Sequence, residues 1–383
     1  MFLKSFFVLL TLTTTAIADE GLDRLMGKEL FERSWVQAPA TTKASDGLGP
    51  LFNARSCASC HPRGGSVGFE TTENRTQSAG LLARFGDGTG AGDPHYGKQL
   101  QSAALTTLQP EGQVWLDERF NVGLELNGPG LASTTGVGLR RAPTLAGRGL
   151  FSDISDKALL KNADPLDANK DGISGRARII DGRLARFGWK ADHVTLEDQI
   201  ATAFAMDIGL SSQRAPNHFT DCTAQQSDCR AFHDGSDDLG AGYELSEAII
   251  DLVSLYVASL GTQRPGSQQG LALFEETGCA ACHTPAIEGG NHPVQIYSDL
   301  LLHDMGPELR DGFKQPGVLA AEWRTAPLIG LSTSNSRLLH DGRAEDVREA
   351  IDWHGGESQS SKGRFNTLSR HDQEQLIAYV SGL

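Results

Sequence analysis

Two copies of one five-residue motif, more than two hundred residues apart, constrain this chain more than any other feature. They are Cys57-Ala58-Ser59-Cys60-His61 and Cys279-Ala280-Ala281-Cys282-His283. At this spacing two thiols add to the two vinyl groups of a haem, and the adjacent histidine binds its iron. A single copy is also compatible with half a zinc site or a redox dithiol. Two copies, each a few residues after a Leu-Phe pair, predict covalent haem c at Cys57, Cys60 and His61 and again at Cys279, Cys282 and His283. The distance between them predicts one haem domain around each.

The N-terminus points to a compartment where such attachment takes place. Lys4 is followed by a short apolar stretch, and Ala16-Ile17-Ala18 is a small-x-small cleavage signal before Asp19, so residues 1–18 read as a signal peptide for export to the periplasm. The apolar run is far below the ~20 residues needed to span a bilayer, and no other segment is long or apolar enough. Cysteine usage agrees. Of six cysteines, four belong to the two motifs, and the remaining Cys222 and Cys229 predict a structural disulfide in an oxidising compartment. The formal net charge is −14, and Lys4 is the only charge within residues 1–18. An acidic chain makes nucleic acid an unlikely match on electrostatic grounds and is compatible with a small basic electron-donor protein.

Organisation follows from periodicity and caps. The pattern predicts helices over 198–209 behind Thr195, over 247–259, over 270–276 and over 372–380 behind Ser369. Helix, Cys-x-x-Cys-His, loops and terminal helix is the order of a cytochrome c domain. Between Thr71 and Arg141 the sequence is Gly-rich and partly alternating, which predicts loops and a short β-hairpin over 113–116 and 121–126. The expected fold class is therefore mainly α, with two cytochrome c-like domains. These are 19–261, carrying a loop-rich insertion with short strands, and 262–383.

The sixth iron ligand decides function, because a face closed by His or Met makes an electron carrier and an open face admits peroxide. Met305 lies at a plausible distance after the second motif, within an apolar run that also reads as core. For the first haem, His95, Met206 and an open face are all compatible with the sequence. A further site is legible at Asp167-Ala-Asn169-Lys-Asp171-Gly172-Ile173, where oxygen ligands fall at loop positions one, three and five, Gly at six and a backbone carbonyl at seven. Position twelve is Arg178 rather than a bidentate Glu, so calcium here needs a further carboxylate such as Asp164 or Asp181. The bland reading is an Asx-rich turn.

Several ordered segments resemble the di-haem oxidoreductase family, a branch of the bacterial di-haem cytochrome c peroxidase superfamily. They are 49–61 (Gly-Pro-Leu-Phe-Asn-Ala-Arg-Ser-Cys-Ala-Ser-Cys-His), 139–150 (Leu-Arg-Arg-Ala-Pro-Thr-Leu-Ala-Gly-Arg-Gly-Leu) and 171–176 (Asp-Gly-Ile-Ser-Gly-Arg). Further on come 298–306 (Ser-Asp-Leu-Leu-Leu-His-Asp-Met-Gly), 322–328 (Glu-Trp-Arg-Thr-Ala-Pro-Leu), 339–343 (Leu-His-Asp-Gly-Arg) and 353–357 (Trp-His-Gly-Gly-Glu). The resemblance implies that Trp189, shortly before Thr195-Leu196-Glu197, bridges the two haems. It implies that Asp207 of Asp207-Ile208-Gly209 is the acid beside the peroxide-binding haem, where the peroxidases carry the longer Glu. It places His354 at the sixth position of the second haem, in preference to Met305. It also adds weight to calcium between the domains.

The expected function is thus an exported oxidoreductase. Electrons from a cytochrome- or cupredoxin-type donor enter at the haem of His283 and His354, pass Trp189, and reach the haem of His61. Hydrogen peroxide is reduced there, with Asp207 shuttling the proton. The competing reading is a non-catalytic di-haem electron carrier.

Overall fold

A computed structural model describes residues 10–72, 74–232, 235–236, 242–261, 267–290, 292–333 and 337–383. The first half of the expected signal peptide and residues 262–266, at the expected domain boundary, lie outside the described residues. Residues 10–18 form the start of helix α1 (Leu10–Glu32).

Helices form where the sequence supplies caps and a periodic apolar face. Thr195 caps α2 (Leu196–Ala203), its hydroxyl accepting from the Asp198 N–H. α3 (Glu247–Ala258) buries Ile250, Val253, Tyr256 and Val257. Ser267 caps α4 (Gln268–Glu276), Asp346 caps α5 (Val347–Trp353), and Ser369 caps α6 (Arg370–Ser381). Two close helix crossings frame the molecule. α1 meets α3 at Gly27, where an added Cβ would lie 2.0 Å from the Leu252 carbonyl oxygen, and Phe31 packs edge-on against Tyr256. α4 meets α6 at Gly270, where a Cβ would lie 2.3 Å from Tyr379 Cβ. One buried apolar cluster runs from Leu30 to Leu383 and draws on both halves of the chain.

The expectation of a mainly α fold is corrected by the structure: 33% of it is helical and 18% is strand, in several small sheets. The physical reason lies in residues 70–141, which contain Gly at many positions and alternate rather than repeat at helical spacing. They form an antiparallel sheet of Glu70–Thr72, Arg75–Gln77, Gly112–Leu116 and Val122–Leu126. Its hairpin covers the alternating segment that the sequence singles out. A second pair joins Leu81–Gly86 to Gly136–Arg141. Together they bury a cluster of their own, with Leu81, Ala83, Phe85, Tyr96, Leu100, Leu116 and Leu139. Further short pairs, such as Leu302–Asp304 with Glu322–Arg324, shape the second half. Cys222 and Cys229 form a disulfide packed against Leu51.

Candidate functional site

Each Cys-x-x-Cys-His motif opens into its own cavity. The first sits on a single helical turn, Cys57–Cys60, capped by Ser56. Cys57, Cys60 and His61 line a cavity with Phe151, Phe187 and Ile200 on its apolar walls. Burial pushes the Cys57 and Cys60 thiols up to about 12, helped by the nearby Asp207 carboxylate. Neither is an activated thiolate, which suits an attachment point and not a nucleophile. Burial also lowers His61 to about 4, and its Nδ1 lies 3.3 Å from the Gly65 carbonyl oxygen. A histidine ligand held in this way keeps its proton on Nδ1 and turns its other nitrogen to the metal.

The second cavity is lined by Cys279, Cys282, His283, Met305, Leu328 and His354, among others, and holds about 1560 Å³ of unfilled space with its mouth included. His283 Nδ1 lies 3.1 Å from the Tyr297 carbonyl oxygen, and His354 Nδ1 lies 2.5 Å from that of Ala350. Burial lowers His283 to about 4 and lowers His354 as well, so both rings are neutral at pH 7 with Nε2 left to accept. Their ring centroids stand 6.4 Å apart. Two imidazoles binding one metal from opposite sides, each bond about 2.0 Å long, place their centroids roughly 6 Å apart. The arrangement therefore has the spacing of a bis-histidine site. Met305 lines the same cavity but carries no comparable partner geometry.

Trp189 belongs to the walls of both cavities. Gly188, at φ +83°, turns the chain ahead of it, and a side chain there would meet the Asp192 carboxylate at 2.7 Å. The indole Nε1–H donates to the Arg141 carbonyl at 3.1 Å, and the Trp189 carbonyl accepts from the Arg324 N–H at 3.1 Å. The ring is thus held from both halves of the chain.

Asp207 is set by an irregular helix end. α2 runs into a wider π-helical turn at Phe204–Ile208 and stops at Gly209 in the left-handed region, φ +84°. Such turns recur at functional sites because they re-aim a side chain without ending the helix. Gly209 also backs onto Gly49, where a Cβ would lie 2.7 Å from the Gly209 Cα. The Asp207 side chain lines the first cavity, and its Oδ1 accepts from Gln99 Nε2 at 2.8 Å. Burial pushes its carboxyl above the usual range. Gln99, fully buried, also donates to Asn53 Oδ1 and the Met206 carbonyl. A polar cavity adjoins the first from this side and is lined by Met206, Arg84, Lys98 and His193 as well as His61. His95 lines none of these cavities; its ring stands beside Tyr96.

The loop 164–173 folds as successive Asx turns. Asp167 accepts from the Gly172 N–H, Asn169 Oδ1 from that of Asp171, and Asp171 Oδ1 from that of Ile173, while Asp164 accepts from Ala168. Among the described residues no three carboxylates of this loop come within ligating distance of one another. A cluster of three ligating groups is found elsewhere, at Cys282, Asp299 and His303. There His303 lies between the carboxylates of Asp299 (2.8 Å) and Glu357 (2.7 Å), so both its nitrogens are engaged. Glu357 accepts in addition from the Ser174 N–H, joining the loop after 164–173 to the second half. Gln99, His303 and Glu357 escaped the sequence reading. His303, with its partner Asp299, and Glu357 lie in the segments 298–306 and 353–357 that carry the resemblance, a signal that spacing alone does not interpret.

A family model described as "Di-haem oxidoreductase, putative peroxidase" matches residues 5–81 and 129–383. The unmatched stretch, 82–128, holds most of the β-rich insertion. No curated protein matches the chain. With two Cys-x-x-Cys-His turns, each facing its own cavity, and a match over most of its length, the chain belongs to the di-haem oxidoreductase family.

Proposed function

We propose that this protein is an exported di-haem c-type cytochrome that reduces hydrogen peroxide. In this reading a small donor protein of the cytochrome or cupredoxin type supplies electrons at the second site, and they are used at the first. The residues fit two haems: apolar walls, a cysteine pair in each, and imidazoles whose Nδ1 atoms are taken by backbone carbonyls. Each haem, when bound, supplies an iron that exchanges single electrons and, where one axial face is open, binds a peroxide oxygen.

The observation that carries the reading is the asymmetry of the two cavities. The second sets two imidazoles at bis-ligand spacing, which suits electron exchange alone. The first has one histidine and, in its wall, a buried carboxylic acid with Gln99 on one oxygen. Burial raises the proton affinity of that acid above that of an exposed Asp, which suits Asp207 to exchange a proton with a molecule bound in the first cavity. Trp189 fills the wall between, where its ring excludes water and offers a π-system to both sides. Export rests on residues 1–18 of the sequence; among the described residues no helix is long and apolar enough to cross a membrane.

The non-catalytic carrier reading draws on Met206, which lines the cavity adjoining His61. One experiment separates the two. Peroxide turnover with a reduced donor should fall ~100- to 10,000-fold in Asp207→Asn, with both haems retained. Two low-spin haems in the wild type, inert to peroxide even after half-reduction, would establish the carrier instead.

A further inference from the structure

Three arginines in the wall between the cavities make no direct ion pair among the described residues, although Asp341 acts on Arg141 and Asp192 and Asp299 act on Arg324 from a distance. Arg148 and Arg324 line both cavities, and Arg141 lines the second and the polar cavity that adjoins the first. Arg141 and Arg324 are 7% and 5% exposed. Arg141 Nε donates to the Leu339 carbonyl at 2.7 Å, and Arg324 Nε donates to the Gly188 carbonyl at 2.7 Å. Arg148 Nη1 is buried without a partner. Arg141 Nη1 also donates to Ser66 Oγ and the Ala142 carbonyl at 3.4 Å, and Arg324 Nη1 to the Thr325 carbonyl at 2.9 Å. The guanidinium groups rest on aromatic faces as well: Arg141 on Trp189, Arg148 and Arg324 on Phe151, at 5.3–5.6 Å.

The rest of the molecule treats buried arginines differently. Arg140 pairs with Asp311 and Arg186 with Asp156. Among the described residues no such partner stands by the three in the wall. Burial lowers Arg141 and Arg324 to about 10, and burial together with the other two charges lowers Arg148 well below the usual range. Uncompensated buried cations are costly unless an anion shares their site.

We propose that Arg141, Arg148 and Arg324 form a single anion clamp for the propionates of both haems, so that the carboxylates of two prosthetic groups meet beside Trp189. The inference rests on the di-haem reading. Its chemistry is that of the haem edge: thioethers hold one side of the macrocycle and propionates project from the other. Guanidinium forks match carboxylates in two-point hydrogen bonds, which a lysine at the same place does not reproduce. A shared clamp also ties the two irons together electrostatically, because each electron added on one side changes the field at the common arginines.

The test uses holoprotein carrying Arg148→Met or Arg148→Lys. Covalent haem is counted first by intact mass, and the two reduction equilibria are then followed by spectroelectrochemical titration, with resonance Raman reading the propionate bending bands. In Arg148→Met the reduction equilibrium of both haems should shift ~10-fold or more toward the oxidised state, because a nearby positive charge favours the less positive iron. Arg148→Lys should restore most of that shift while the propionate bands of both haems move. Both equilibria within about twofold of wild type, or a change confined to one haem, would overturn the shared clamp. If Arg148→Met yields no holoprotein, unmoved bands in Arg148→Lys overturn it equally. Fewer than two haems in the wild-type mass would instead defeat the di-haem reading beneath it.

Discussion

At the scale of single residues, what distinguishes the two sites is which polar atoms are left for a ligand. His283 and His354 each give Nδ1 to a backbone carbonyl, so what remains is one free nitrogen on each of two neutral rings whose centroids lie 6.4 Å apart. Exchanging His354 for Ala removes one of them and leaves apolar neighbours such as Ile351 and Val347 behind. His354→Ala should turn one low-spin haem high-spin and leave the spectrum of the other unchanged, as read by optical and electron paramagnetic resonance spectra. If Met305→Ala does this and His354→Ala does not, the ligand is Met305. The contrast with Asp207 is instructive. It owes its raised carboxyl to burial, with Gln99 opposing that shift by one hydrogen bond.

At the scale of elements, the β-rich insertion is fastened to the rest by polar groups that are themselves buried. Glu111, just before the strand Gly112–Leu116, accepts from the Gln101 N–H at 2.7 Å and from Gln226 Nε2 at 2.5 Å, near the Cys222–Cys229 disulfide. Burial pushes its carboxyl up to about 8. A folded-state value above the unfolded one means that the native state binds the extra proton. The associated stability is present below about pH 4.5 and is lost as pH rises toward 8. Urea midpoints should therefore fall between pH 5 and pH 8.5 in the wild type, and Glu111→Gln should flatten that fall. An identical pH slope in the two proteins would show that Glu111 does not titrate as its burial requires. At the end of α2, the chain leaves the helix at Gly209, which takes the left-handed region at φ +84° and packs so closely on Gly49 that neither position has room for a side chain.

At the scale of the whole molecule, a single apolar cluster spans both halves while the two motifs keep separate cavities, with Trp189 in the wall they share. The cysteine pairs are therefore independent in chemistry though joined in packing. The double variant Cys279→Ser/Cys282→Ser should lose the mass of one haem and keep the other, measured on the intact protein. Two haems still covalently attached would remove the second motif from the site. Because a bound group stabilises the state that binds it, the same variant should unfold at a lower temperature than wild type.

The sequence alone determined the parts whose chemistry is local: the two Cys-x-x-Cys-His motifs, the leftover cysteine pair, the caps at Thr195 and Ser369, and the alternating hairpin. Each depends on residues within a few positions of one another, so spacing suffices to read it. The family resemblance, carried by short ordered segments, singled out Trp189, Asp207 and His354 for the roles proposed above, and all three line the cavities of the two motifs. The mainly α expectation failed because the Gly-rich stretch 70–141, read as loops and one short hairpin, pairs with itself into more strands over distances that periodicity does not reveal. Only the tertiary structure decided that His354 stands opposite His283, that Gln99 reaches Asp207 across more than a hundred residues, and that three arginines share one wall. Those relations depend on which distant backbone segments are brought together, and burial then sets the charge of each group they enclose.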